Sequence, residues 1–306
     1  MVGTLQLDER LKSKVIPRIF GGLGNQLFCY AAARRLALIH DAELVIDDIS
    51  GFVRDLAYKR KYQLRHFMIP CRTATATERM EPFSNVRRYL TRRLNQRLPF
   101  LDRSHIQQEG MDFDSRLLQV KPRRTLYLEG YWQSEGYFKD VAETIREDLR
   151  IVPPVDDVNL RTAAQISTKP SVAVHMRFFD SPTDSEANNA PTGYYSRALA
   201  EMEVLVPDAH YYVFSDQPNV ASTRVQMPAG RVTYISHNLG EDNTYADLWL
   251  MTRCRHFIIA NSTFSWWGAW LAQHRDKHVI APGFEKRHGK MWWGFDGLLP
   301  DDWIKL

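Results

Sequence analysis

The chain predicts an α/β protein made of two Rossmann-like halves that face each other across a cleft. Three observations carry this reading. Short apolar β-type runs alternate with longer stretches at helical spacing along most of the chain. A Pro153-Pro154 pair followed by Asp156-Asp157 interrupts that alternation once. Polar or Gly-rich clusters recur directly after the apolar runs, where open α/β sheets place their ligands. The implied division is residues 1–155 for the first half and 156–306 for the second.

Composition narrows the class. A chain of 306 residues that is 44% hydrophobic can bury two cores. Lys and Arg total 40 against 36 Asp and Glu, and this mild excess suits an anionic ligand or membrane surface without pointing to nucleic acid. Cys29, Cys71 and Cys254 are odd in number and lack CxxC spacing, which argues against a disulfide framework or a structural zinc site. No signal-peptide pattern is evident, and no run approaches the roughly 18 apolar residues of a membrane span. The expectation is a cytoplasmic protein, with peripheral contact to the cytoplasmic face of a membrane as an option.

In chain order, a short strand over 15–20 runs into Gly21-Gly-Leu-Gly-Asn-Gln26, and Ala- and Leu-rich spacing predicts a helix over 27–39. The Gly-rich turn lets backbone approach a ligand closely. It is not a dinucleotide fingerprint, because Leu27 stands where the third Gly of GxGxxG belongs, and the Lys-Ser/Thr of a P-loop is absent. A strand over 43–46 completes a βαβ unit. The segment 51–125 shows no clear alternation. Within it, arginines 87, 88, 92, 93, 97 and 103 interleave with Val86, Tyr89, Leu90 and Leu94, so a helix there has one apolar and one basic side. That pattern reads as a solvated basic face or, in its sharper form, as peripheral membrane contact through 87–103. Asp112-Phe-Asp114 has the form of a metal-holding DxD but follows no apolar strand, and reads as coincidental. A strand over 125–128 and a helix starting from a Ser134 cap to about 149 close the first half.

In the second half, strands are expected over 172–175, 211–214, 232–235, 257–260 and 278–281, with helices near 192–205, 245–254 and 265–274. The polar strand ends here are His175-Met-Arg177, Ser215-Asp216-Gln217 and Asn261-Ser-Thr-Phe-Ser265. His175 and Arg177, two apart, face one side of a strand, and guanidinium is well shaped for bidentate phosphate binding. Asn261, Ser262, Thr263 and Ser265 can cap a helix N-terminus or bond an anion there. Trp266, Trp267 and Trp270 read as core packing rather than sugar stacking.

Taken together, these segments resemble the α1,2-fucosyltransferases of glycosyltransferase family eleven. The matches are Gly21-Gly-Leu-Gly-Asn-Gln-Leu-Phe28, the HxRxxD segment at 175–180, Phe214-Ser-Asp216, Asp247-Leu-Trp-Leu-Met251 and the Trp-rich stretch 261–271. The usual HxRRxD is HxRFFD here, with Phe178 in place of the second Arg, and Gln217 stands where a second Asp is usual. The resemblance implies a GT-B arrangement, an acceptor-side first domain and a nucleotide-sugar-binding second domain. It also implies a GDP-fucose donor, inversion at the sugar carbon, no metal or other cofactor, and a glycan or lipid-linked oligosaccharide acceptor modified at a galactose-type O2.

On that reading Arg177 clamps the departing diphosphate and His175 positions it. Asp180, Asp184 or Glu186 accepts the acceptor proton, and the loop 181–191 could close over the donor. Asp247 accepts the paired N–H groups of guanine. Gly22, Gly24, Asn25, Gln26, Ser215, Asp216, Asn261, Ser262, Thr263 and Ser265 complete the donor site. A transferase for another nucleotide sugar and a catalytically silent sugar or nucleotide binder are the alternatives.

Overall fold

A computed structural model describes residues 12–56, 58–178, 190–287 and 290–306. The first sheet takes β1 (Lys14–Pro17), β2 (Glu43–Ile46), β3 (Arg72–Thr73), β4 (His105–Gln107) and β5 (Thr125–Glu129), in the order β3-β2-β1-β5-β4. All four pairings are parallel. Helix α1 (Leu23–Ile39) crosses from β1 to β2, and α2 (Ser84–Asn95) precedes β4. After β5 the chain passes through α3 (Ala142–Asp148) and α4 (Asp157–Ile166) to the second sheet.

That sheet uses β6 (Ser171–Met176), β7 (His210–Ser215), β8 (Val232–Ile235), β9 (His256–Ile258), β10 (Val279–Ala281) and β13 (Ile304–Lys305). Its order is β13-β10-β9-β6-β7-β8, again parallel throughout. The crossovers are α5 (Thr192–Leu205), α6 (Pro218–Arg224), α7 (Thr244–Met251) and α8 (Thr263–Leu271), while β11 (Glu285–Arg287) and β12 (Lys290–Trp293) form a separate antiparallel pair.

Helix α8 is apolar on every side, and a helix of that kind must be enclosed. It is: Trp266, Trp267 and Trp270 are all buried. Phe28 of α1 packs on Trp266 and Trp267, with ring centroids 4.5 and 4.9 Å apart. The Trp266 indole donates to the Leu298 carbonyl at 2.8 Å. One continuous core therefore runs from α1 and the first sheet through α7 and α8 into the second sheet. A second cluster lies between α5 and residues 172, 174 and 176 of β6, and Phe178 belongs to it.

Two sequence expectations change. The helix expected from Ser134 is two short 3₁₀ turns, Glu135–Tyr137 and Lys139–Val141, before α3; the Ser134 hydroxyl caps the first by accepting the Gly136 N–H at 3.1 Å. The basic side of α2 is not simply solvated. Arg88 is buried and bonds Asp47 and Glu129, and Arg92 reaches Glu129, so the apolar side faces out.

Candidate active site

The C-terminal ends of β1, β6, β7 and β8 and the turn after β9 meet around a cavity of about 430 Å³. One wall is the Gly22–Asn25 turn with Arg60. The opposite wall is His175, Arg177, Ser215, Asp216, Asn238, Glu241, Asp247, Ser262 and Thr263. Two helix N-termini, from different sheets, open onto this space. Gly22 precedes α1 without a side-chain cap, and Ser262 caps α8 by accepting the Phe264 N–H at 3.3 Å.

Gly24 explains how the two ends come so close. A Cβ there would lie 2.5 Å from the Thr263 carbonyl carbon and 2.6 Å from the Phe264 nitrogen, so only glycine fits. Asn25 then ties the turns together: its Oδ1 accepts from Thr263 Oγ1 at 2.9 Å and from Gln133 Nε2 at 2.8 Å. First-turn N–H groups without intrahelical partners and the positive ends of two helix dipoles therefore converge on one cavity, an arrangement suited to a polyanion.

The charged groups are paired at the strand ends. Arg177 Nη1 bonds Asp216 Oδ2 at 2.7 Å, and Asp216 Oδ1 accepts the Phe178 N–H at 3.1 Å. Burial nevertheless raises the Asp216 carboxyl, outweighing the opposing Arg177 charge. Burial, reinforced by Arg177, lowers His175 to about 3, so its ring is neutral near pH 7. Its Nδ1 has no hydrogen-bond partner among the described residues. Burial pushes Asp247 up to about 7 despite the bond that Asn238 Nδ2 donates to its Oδ1 at 2.9 Å. Arg60 and Glu241 approach to 3.6 Å across the cavity.

Of the residues singled out in the sequence, Gly22, Gly24, Asn25, His175, Arg177, Ser215, Asp216, Asp247, Ser262 and Thr263 line this cavity. Gln26 does not. It is fully buried, donating to the Gly21 and Lys61 carbonyls at 2.9 and 2.8 Å and accepting the Gln63 N–H at 2.9 Å, so it braces the turn. Ser265 is also fully buried and bonds back to the Ser262 carbonyl at 3.3 Å. Asn261 is buried beside the site without lining it. Asp180, Asp184 and Glu186, and most of the loop 181–191, lie outside the described residues. Phe178 is buried in the cluster that includes α5 and does not line the cavity, although its N–H bonds Asp216.

Sequence reasoning passed over Arg60, Asn238, Glu241 and Thr244. The Asn238–Gly240 turn was findable, since it follows the expected strand over 232–235. Arg60 lies in a stretch without periodicity and carried no such signal. The DxD carboxylates are engaged elsewhere: Asp112 accepts the Asp296 N–H at 3.1 Å and Asp114 pairs with Arg116 at 2.7 Å. Among the described residues, no group of three or more His, Cys, Asp or Glu side chains is placed to hold a metal. Nor is any helix among them long and apolar enough to cross a membrane.

Two parallel α/β sheets that furnish opposite walls of one cavity constitute the GT-B architecture of nucleotide-sugar glycosyltransferases. Solved structures agree on the fold. Arabidopsis thaliana FUT1 in complex with GDP superposes with a TM-score of 0.54 at 13% identity, covering 91% of this chain and 72% of that one. Bradyrhizobium fucosyltransferase NodZ gives 0.51 at 14% identity, covering 92% and 96%. Residues 55–289 match glycosyl transferase family 11, and the chain belongs to that family. Two Escherichia coli proteins are similar along nearly their whole length. An alpha-1,2-colitosyltransferase is 28% identical over 96% of this chain and 99% of its own. The O-antigen biosynthesis glycosyltransferase WbnK is 29% identical over 94% and 98%. The protein is thus a family 11 glycosyltransferase.

Proposed function

We propose that the enzyme transfers L-fucose, or a sugar of closely similar shape, from a GDP-activated donor to a glycan hydroxyl with inversion at the sugar carbon. The observation that carries this reading is the convergence of two helix N-termini, Arg177 and Asp247 on one cavity. Breaking the sugar–phosphate bond develops oxocarbenium-like charge on the sugar and negative charge on the departing diphosphate. The first-turn amides of α1 and α8 and the Arg177 guanidinium take up that leaving charge, with Asp216 holding Arg177 at the strand ends. Neutral, weakly basic His175 acts as a positioning residue beside Arg177. Asp180 and Glu186 are the proposed acceptors of the hydroxyl proton. When ionised, Asp247 accepts two N–H bonds from the guanine edge, a pair that adenine does not offer.

The acceptor reading is a galactose-type O2 on a glycan or lipid-linked oligosaccharide, in the cytoplasm or at its membrane face. The first half would serve the acceptor and the second the donor. A second reading is favoured by the 28%-identical colitosyltransferase: colitose is fucose lacking one hydroxyl, and a donor cavity for one comes close to fitting the other. Incubation with GDP-fucose, GDP-colitose, UDP-galactose and GDP-mannose over a panel of galactosides, with product linkage read by NMR, separates these readings. Transfer from GDP-fucose with an inverted linkage is expected. Transfer only from GDP-colitose supports the second reading, and turnover of neither GDP-deoxysugar would refute both. We also read the transfer as metal-independent, with amides and guanidinium supplying what a divalent ion otherwise would. Full turnover in EDTA is expected; loss restored by Mn²⁺ would overturn that part.

A further inference from the structure

Helix α2 is built inside out. Its inner face is polar: Arg88 bonds Asp47 and Glu129, Arg92 reaches Glu129 at 3.3 Å, and the Asn95 Oδ1 accepts the Ser104 and His105 N–H groups at 2.7 and 3.1 Å. Its outer face is apolar. Phe83, Val86, Leu90 and Leu94 form one stripe at helical spacing, which Leu98 and Leu101 extend, and all six are between 44% and 77% exposed. A globular helix ordinarily turns such a stripe inward. Here the ion pairs hold it outward, which makes the exposed stripe a feature of the fold and not a frayed edge.

Charge identifies the occupant. Exposed Arg87, Arg93 and Arg97 flank the stripe. Lys121, Arg123 and Arg124 add a second exposed basic cluster around a cavity of about 310 Å³ that Leu101 and Arg103 also line. A second copy of the chain seated on this stripe would bring its arginines against their own counterparts, at a repulsive cost. An anionic bilayer accepts both features at once. Apolar side chains enter below the headgroups while guanidinium ends stay at phosphate level.

We propose that α2 and the following segment to Leu101 form the surface by which the enzyme rests on an anionic lipid bilayer. None of these residues lines the catalytic cavity, and the proposal does not depend on which sugar is transferred.

Flotation of the full chain with vesicles tests it. Binding to phosphatidylglycerol mixed into phosphatidylcholine is expected, with little binding to phosphatidylcholine alone. Leu90→Glu with Leu94→Glu should abolish flotation. Arg87→Gln, Arg93→Gln and Arg97→Gln together should weaken it on the order of a hundredfold, since each basic residue near an anionic surface contributes several-fold. Both variants should keep wild-type circular dichroism and turnover of a soluble acceptor. If the glutamate variant fails to fold, the arginine variant decides alone. Absence of flotation, or flotation indifferent to the arginine changes, would overturn the proposal. So would a wild-type dimer in sedimentation that Leu90→Glu with Leu94→Glu converts to monomer, which would make the stripe a contact between copies.

Discussion

Two arginine–carboxylate assemblies stand at strand ends in this molecule, and they behave oppositely. In the first half, Arg88, Asp47 and Glu129 have side chains no more than 6% exposed. Burial alone would raise Glu129, but His105, Arg18 and Arg88 overcome it and hold its carboxyl down at about 2. In the second half, Arg177 and Asp216 are about a quarter exposed, and burial wins: the Asp216 carboxyl is raised. Asp247 nearby is raised further, to about 7. In the first assembly the surrounding positive charge outweighs burial at Glu129. In the second, burial outweighs the neighbouring groups at both Asp216 and Asp247, as expected of a site that a ligand completes. Residue type does not distinguish the two; local compensation does.

The largest difference between the two assemblies is expected at Arg177. Arg177→Ala should cut turnover at least about 10²–10³-fold, the loss seen when one donor to developing negative charge is removed. Its thermal midpoint should stay near wild type, because a partly exposed pair contributes little to stability. Near-normal turnover in the folded variant would remove Arg177 from the mechanism. Arg88→Ala should do the reverse, costing about 3–5 kcal/mol of stability by leaving Asp47 and Glu129 buried without their cation. Whatever remains folded should keep the wild-type donor KM. Lost activity without lost stability would place that network in the site.

Asp247→Asn should change both properties in opposite directions. A carboxyl whose folded pKa lies above its unfolded value favours folding while protonated. That contribution is lost as pH rises from the ordinary aspartate range through about 7. The amide should therefore raise the thermal midpoint at pH 8 yet weaken GDP about 10–100-fold, since a charged two-bond acceptor is gone. For the same reason, wild-type GDP affinity should fall as pH drops below 7 by titration calorimetry, and a flat profile would contradict ionised Asp247 as the acceptor. Phe178→Leu should matter least. Its side chain packs against α5, so about 1 kcal/mol of stability and no change in donor preference are expected. A switched donor would restore Phe178 as a specificity residue.

Much of this was legible in the chain because burial writes itself as apolar runs. The stretches over 172–175 and 211–214 became central strands, and the polar residues directly after them line the cavity. What failed was mostly phase. Helices α1 and α8 start four and two residues earlier than the expected 27 and 265, and each helical residue turns the side chain by about 100°. Gln26 and Ser265, read as ligand-facing, therefore point inward. The early start of α1 includes Gly24, a poor helix former, and is fixed by its contact with Thr263, which periodicity cannot reveal. The two faces of α2 were also visible, but its orientation depends on Asp47 and Glu129, both distant in sequence. Strands of two or three residues, such as β3 and β4, are too short to show any period.

Calorimetric titration of GDP against UDP, ADP and dTDP, on wild type and Asp247→Asn, reads the guanine contact itself. Clear GDP preference is expected in the wild type, shrinking selectively in the variant. Equal binding of all four nucleotides, or a GDP preference untouched by Asp247→Asn, would contradict it.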